Sequence, residues 1–239
     1  LFLVSCIGIT NSCSTPPVRD VEWTATGGSK ANMHYSTLAD MDTSNVGSLT
    51  EAWNMSTGDV DTANHSQIQC NPLVIDGNLY GVSPQLKLFS VDAATGKNNW
   101  TYEPFDTAYK KDFSFFIMTN CRGLAYWTDG QKKRILYCAG SFMHCVDAVT
   151  GKPDSAFADN GRLDLHMGLD REVSNLLVTA TSAPMIWKDL VIIGSRVDEG
   201  PAAAPGHIRA FDVRTGKRVW IFHTIPQPGE FGYETWQDT

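Results

Sequence analysis

The sequence holds six cysteines but no Cys-x-x-Cys and no Cys-x-x-Cys-His, so neither a zinc ribbon nor an attached c-type haem is encoded in it. Basic tracts are scarce. The longest is Gln131-Lys132-Lys133-Arg134, and the net charge is −7, which argues against nucleic acid as a partner. That short cluster reads as the exposed top of a hairpin. His34, His144, His166, His207 and His223 lack the paired spacing of a metal site and read as structural. The apolar run from Leu1 to Ile9 is too short to cross a bilayer, which takes about 20 residues.

That run has no initiator Met and no charged leader, and it reads as the tail of a clipped export signal. Leu3-Val4-Ser5-Cys6 is similar to a bacterial lipobox, with Cys6 the site of a lipid anchor. A plain signal with an incidental cysteine is the other reading. Residues 1–21 are thus expected to be signal and tether. Either reading places the protein in the periplasm or cell envelope. Cys138 and Cys145 fall on two adjacent predicted strands, as a disulfide or as free buried thiols.

What is present is a repeat. Val91-Asp92-Ala93-Ala94-Thr95-Gly96-Lys97 returns as Val146-Asp147-Ala148-Val149-Thr150-Gly151-Lys152 and as Phe211-Asp212-Val213-Arg214-Thr215-Gly216-Lys217. The aspartates stand 55 and then 65 residues apart. Self-similarity at this period among short strands points to stacked four-stranded units, as in β-propellers. In each copy an apolar strand runs into Asp, which can bond the turn backbone, and Gly supplies positive φ. Trp100 and Trp220 stand four residues after Gly96 and Gly216, placed to pack on a neighbouring sheet. Ser155 occupies that position in the middle copy, with Phe157 the expected substitute.

Strands are expected near 68–75, 78–83, 87–92 and 98–102, with Asp76-Gly77 as a two-residue hairpin turn. A second set is expected near 122–127, 134–139 and 143–147, with an ill-defined fourth. A third is expected near 179–187, 190–195, 207–212 and 219–223. Before them come a short helical turn near 43–49 and one outer strand around Trp53, and polar links fill 103–112 and 157–175. The fold class is all-β: a β-propeller fragment over 22–239, with three to four four-stranded blades. Propellers have 4–8 blades, so these units do not close a ring and a larger propeller is expected.

The chain resembles the PQQ-dependent dehydrogenases, the quinoprotein glucose and alcohol dehydrogenases built on eight-bladed propellers. The resemblance rests on Tyr35-Ser36-x-Leu38, Asn45-Val46-x-x-Leu49, the three turns, Cys121-Arg122-Gly123-Leu124-Ala125-Tyr126-Trp127, Phe157-Ala158-Asp159-Asn160-Gly161 and Gly206-His207-Ile208-Arg209-Ala210-Phe211-Asp212. Thr119-Asn120-Cys121-Arg122-Gly123 and the segment from Phe157 are more similar to the sugar-oxidising branch, although Met118 stands where that branch carries a His.

The resemblance implies PQQ and Ca²⁺ as cofactors, a sugar or other alcohol as substrate, and a respiratory electron acceptor, a cytochrome or ubiquinone. PQQ is a flat quinone with three carboxylates, which a planar guanidinium suits. By motif position the resemblance assigns PQQ contact to Arg122, whose alternative is an inter-strand salt bridge. It assigns contact also to Thr181, otherwise an ordinary strand residue, and to the polar Gln67 and Gln69 beside His65. It maps the calcium ligand onto Glu199, with Asp198 adjacent; the alternative is an exposed acidic loop. The catalytic base of the family falls beyond Thr239. A rival from another class is a non-catalytic propeller lipoprotein, a protein-binding scaffold.

Overall fold

In the computed structural model of the chain, residues 22–63, 65–105 and 120–236 are described. Residues 1–21, which read as signal and tether with Cys6 as a lipid-anchor site, and Met118 lie outside them. The described residues form three four-stranded antiparallel sheets, the first two meanders in which sequence neighbours pair, the third interrupted by a strand that pairs elsewhere.

The first sheet is β1 (Leu73–Ile75), β2 (Asn78–Val82), β3 (Leu88–Asp92) and β4 (Asn98–Tyr102). The second is β5 (Ala125–Thr128), β6 (Lys133–Ala139), β7 (Phe142–Asp147) and β8 (Arg162–Asp164). A two-residue strand, β9 (Val178–Thr179), comes before the third sheet. That sheet takes β10 (Met185–Trp187), β11 (Leu190–Ile193), β13 (Ile208–Asp212) and β14 (Arg218–Phe222), while β12 (Arg196–Val197) pairs back on β9. The expected turn at Asp76-Gly77 is present, with φ of 50° and 73°, as is a short 3-10 turn over Val46–Ser48.

Four expectations change. The strand foreseen over 68–75 begins only at Leu73, because Asn71 turns its amide to the Arg122 carbonyl. The strand foreseen over 179–187 is split: Thr181 gives its carbonyl to the Arg122 amide, and Pro184 precedes β10 without an amide of its own. The missing fourth strand of the second sheet is β8, inside what reads as a polar link. Around Trp53 the structure has no strand.

The repeated turns are built alike. Asp92 Oδ1 accepts from the Thr95 amide at 2.8 Å and from its hydroxyl at 2.7 Å. Asp147 with Thr150 and Asp212 with Thr215 repeat both bonds. Gly96, Gly151 and Gly216 all sit at φ +70°. Their missing Cβ is also what lets the sheets stack. The indole of Trp53 lies on Gly96 and donates to the Ala93 carbonyl at 3.1 Å, and Trp100 lies on Gly151 and donates to Ala148 at 3.2 Å.

The third turn is covered differently. Ala158, not Phe157, lies on Gly216, and its amide donates to the Thr215 carbonyl at 3.0 Å. Phe157 is fully buried in the apolar layer with Phe211 and Val213. The backbone at Ala158, at φ 45°, turns Phe157 inward and presents the small residue to the glycine.

One apolar layer gathers Leu73, Leu88, Leu124, Ile135 and Tyr137 from the first two sheets; another gathers Leu136, Phe157, Val178, Val191 and Phe211 from the second and third. Arg134, foreseen on an exposed hairpin top, is buried. Its Nε and Nη2 reach Asp154 Oδ2 at 2.8 and 2.7 Å, and Nη1 donates to the Val213 carbonyl. It thereby ties the second sheet to the third. Lys133 instead pairs with Asp76 at 2.6 Å, across to the first sheet. Cys138 and Cys145 are both free: Cys138 faces Met143 and Cys145 faces Leu136 in the ladder, so the two sulfurs are not opposed.

Candidate functional site

The segments leading into the first strand of each sheet converge. The amide of Asn71, ahead of β1, donates to the Arg122 carbonyl at 3.1 Å, and its side-chain amide donates to the same oxygen at 2.9 Å. The amide of Arg122, ahead of β5, donates to the Thr181 carbonyl at 2.8 Å. Three sheets are therefore stitched through the backbone of one arginine. These segments leave their own ladders to make these bonds, which is why the first strands are short.

The stitching settles where the Arg122 side chain goes. It is exposed, and its Nε donates one long bond, 3.5 Å, to Gln69 Oε1. No carboxylate pairs with it among the described residues. Among the described residues the inter-strand salt bridge is not formed, and most of the guanidinium's five donors have no partner there. Arg122 also lines a cavity of about 360 Å³ with Thr26, Lys30, Asn71, Tyr126 and Ala183. The segment carrying Thr26 and Lys30 is held there by Trp23, which pairs with Val74 of β1 in both directions at 2.8 and 3.0 Å.

Of the residues singled out in the sequence, Gln69, Arg122 and Thr181 are brought together, Thr181 buried and joined through its carbonyl. Gln67 is exposed near them in sequence, with no hydrogen bond among the described residues. Asp198 and Glu199 are exposed and are not brought to the group. In the β9–β12 ladder Arg196 opposes Thr179 and Val197 opposes Val178, so the chain entering Asp198 runs away from Thr181. Among the described residues no three His, Cys, Asp or Glu side chains are gathered to hold a metal ion. Asn71 and Lys30 were not foreseen. Asn71 stands two residues past Gln69, but its role depends on a contact 51 residues away that leaves no periodic trace.

Three of the histidines are engaged in packing or ion pairs within the fold. His144 is buried in a ring of Tyr102, Phe105, Tyr137 and Phe142, and its Nδ1 is 3.0 Å from the Tyr102 hydroxyl. Burial pushes its pKa down to about 3. His223 lies between Asp170 at 2.9 Å and Glu230 at 2.7 Å, whose bonds push its pKa up. His166 is bonded to Asp164 at 2.7 Å and to the Leu176 carbonyl at 3.0 Å.

Stacked four-stranded antiparallel sheets, docked through indoles on turn glycines and converging at their first strands, define a β-propeller. The family model of the PQQ glucose/ethanol/alcohol dehydrogenase β-propeller domain matches residues 23–239, and the chain belongs to that family. It is 33% identical over 230 residues to a quinoprotein glucose dehydrogenase of Gluconobacter oxydans, covering 87% of this chain and 28% of that one. It is 35% identical over 209 residues to the dehydrogenase subunit of a quinone-dependent alcohol dehydrogenase of Gluconacetobacter polyoxogenes, covering 86% of this chain and 26% of that one. The solved structure of the quinohemoprotein alcohol dehydrogenase of Comamonas testosteroni superposes with a TM-score of 0.67 at 26% identity, over 88% of this chain and 28% of that one. The chain thus spans less than a third of the length of these relatives.

Proposed function

We propose that this chain is the part of a PQQ-dependent dehydrogenase that carries Arg122 to the cofactor, in an enzyme oxidising a sugar or other alcohol. The observation that carries the reading is the state of Arg122: fixed through its backbone to two other sheets, and with its guanidinium unspent on any carboxylate among the described residues. A cation whose backbone is fixed, and whose guanidinium is unpaired among the described residues, is suited to an anionic, planar ligand, because the fold has already ordered the backbone that carries it. Gln69 steers the guanidinium plane, and Lys30 adds a second positive charge to the cavity lining. These residues fit PQQ, whose carboxylates they would bond.

When bound, PQQ supplies a quinone that accepts hydride from the alcohol carbon. The residues of this chain bind and orient it. Arg122 and Lys30 balance its carboxylates, and Ala183 and Leu124 form apolar wall and exclude water. Calcium belongs to the same reading, but Asp198 and Glu199 fall short of the six to eight oxygens it takes, and the described residues do not by themselves fit it. A respiratory acceptor, a cytochrome or ubiquinone, would take the electrons, and export to the periplasm or cell envelope with a lipid anchor at Cys6 completes the proposal.

The test uses the full-length protein. PQQ is titrated into it with tryptophan fluorescence as readout, and dye reduction is followed with aldoses and with primary alcohols. PQQ-dependent dye reduction is expected, with Arg122→Ala weakening PQQ binding by about 100-fold, the value of a lost charge-assisted pair. The substrate panel assigns sugar or alcohol. A well-folded protein that binds no PQQ would overturn the reading in favour of the scaffold.

A further inference from the structure

Cys70 and Cys121 precede different sheets, yet their thiols meet. The segments ahead of β1 and β5 run side by side, with Asn71 and Gly123 in a parallel bridge. Paired strands lie about 4.8 Å apart and rise about 3.3 Å per residue. Cys70 and Cys121 are offset by one place in that register, which sets their Cα atoms about 6 Å apart. Disulfides form across about 4.4–6.8 Å between Cα atoms. The bridge is an isolated one, and both side chains pack on the apolar layer of Leu73, Leu124 and Tyr137, where the two thiols interact; the Cys70 Sγ donates to the Asn71 carbonyl at 3.5 Å and the Cys121 Sγ to the Gly123 carbonyl at 3.3 Å. Both are free thiols in this structure.

We propose that Cys70 and Cys121 are a disulfide-forming pair that staples the first sheet to the second immediately beside Arg122. Cys121 is adjacent to Arg122 in the chain and Cys70 to Gln69, so the staple brackets the one side-chain bond that steers the guanidinium. Cys138 and Cys145 offer no such pair, since their ladder partners are Met143 and Leu136.

The oxidant is a disulfide, small-molecule or borne by a thiol oxidase. Cys70, the partly exposed member, attacks one of its sulfurs and releases one thiol; buried Cys121 then attacks the Cys70 sulfur of the mixed disulfide and releases the other. Two electrons pass from the cysteines to the exchanging disulfide, and the two cysteine protons end on the released thiols.

The experiment uses the full-length protein and glutathione disulfide. After oxidation, free thiols are blocked under denaturing conditions, and the unreduced digest is mapped by mass spectrometry. A Cys70–Cys121 cross-linked peptide is expected, with Cys138 and Cys145 blocked as free thiols. Cys138→Ser retains the cross-link, and Cys70→Ser and Cys121→Ser each lose it. Recovering Cys70 and Cys121 blocked as free thiols, each carrying glutathione, or linked to Cys138 or Cys145 would overturn the proposal. The wild-type map decides even if a serine variant fails to fold.

Discussion

Trp100, on the outer strand of the first sheet, covers Gly151 in a turn of the second so closely that a Cβ on Gly151 would stand 2.5 Å from the indole. The same glycine is held at φ +70°, where side-chain-bearing residues are strained. Gly151→Ala therefore combines a backbone penalty with overpacking. It should lower stability by about 2–4 kcal/mol, read as a reduced midpoint in urea unfolding. Gly130, at φ +90° with open space around it, isolates the backbone share: Gly130→Ala should cost about 1 kcal/mol.

Asp154 is the only carboxylate bonded to buried Arg134 among the described residues. Replacing it strands a guanidinium out of water. Asp154→Asn should destabilise by about 3–5 kcal/mol. Replacing the charge and its partner together with apolar groups, as in Arg134→Met with Asp154→Leu, should recover much of that loss. A double-mutant cycle by denaturant unfolding checks both.

His144 and His223 should shape the pH dependence with opposite sign. The folded pKa of His144 lies near 3, below its unfolded value, so its contribution is present above the unfolded pKa and is lost as pH falls, when the unfolded chain takes up the proton. The folded pKa of His223 is raised by Asp170 and Glu230, so its contribution is full below the unfolded value of about 6.5 and is lost as pH rises through the folded pKa. Histidine NMR should show the His144 ring unchanged between pH 8 and pH 4 and the His223 ring titrating above 6.5. His223→Gln should flatten the decline in stability on the alkaline side.

Gln69 bonds Arg122 without neutralising it. Gln69→Glu would give the guanidinium a carboxylate of its own, in competition with an anionic ligand. On the proposed function, PQQ affinity in the full-length protein should fall about tenfold, the worth of about 1.4 kcal/mol. Gln69→Ala should change it less, because it leaves the charge unspent. Fluorescence titration of both variants separates charge competition from loss of orientation.

The sequence by itself determined the repeated unit. An Asp whose side chain bonds a Thr three residues on, followed by a Gly at positive φ, needs only neighbours along the chain, so the three turns, the Asp76-Gly77 hairpin and most of the strands were legible. Arg122 was legible too, because its motif is contiguous. Tertiary structure alone decided what covers each turn, which strands are cut short, and which thiols and charges meet. Ala158 rather than Phe157 lies on Gly216, Arg134 is buried on Asp154, Cys70 rather than Cys138 or Cys145 finds a cysteine, and Asp198 and Glu199 are carried away from Thr181. Each of these depends on where one sheet stops against the next. That is a matter of side-chain volume and backbone bonds across about fifty residues of chain or more, to which a local pattern of two- or four-residue period is blind.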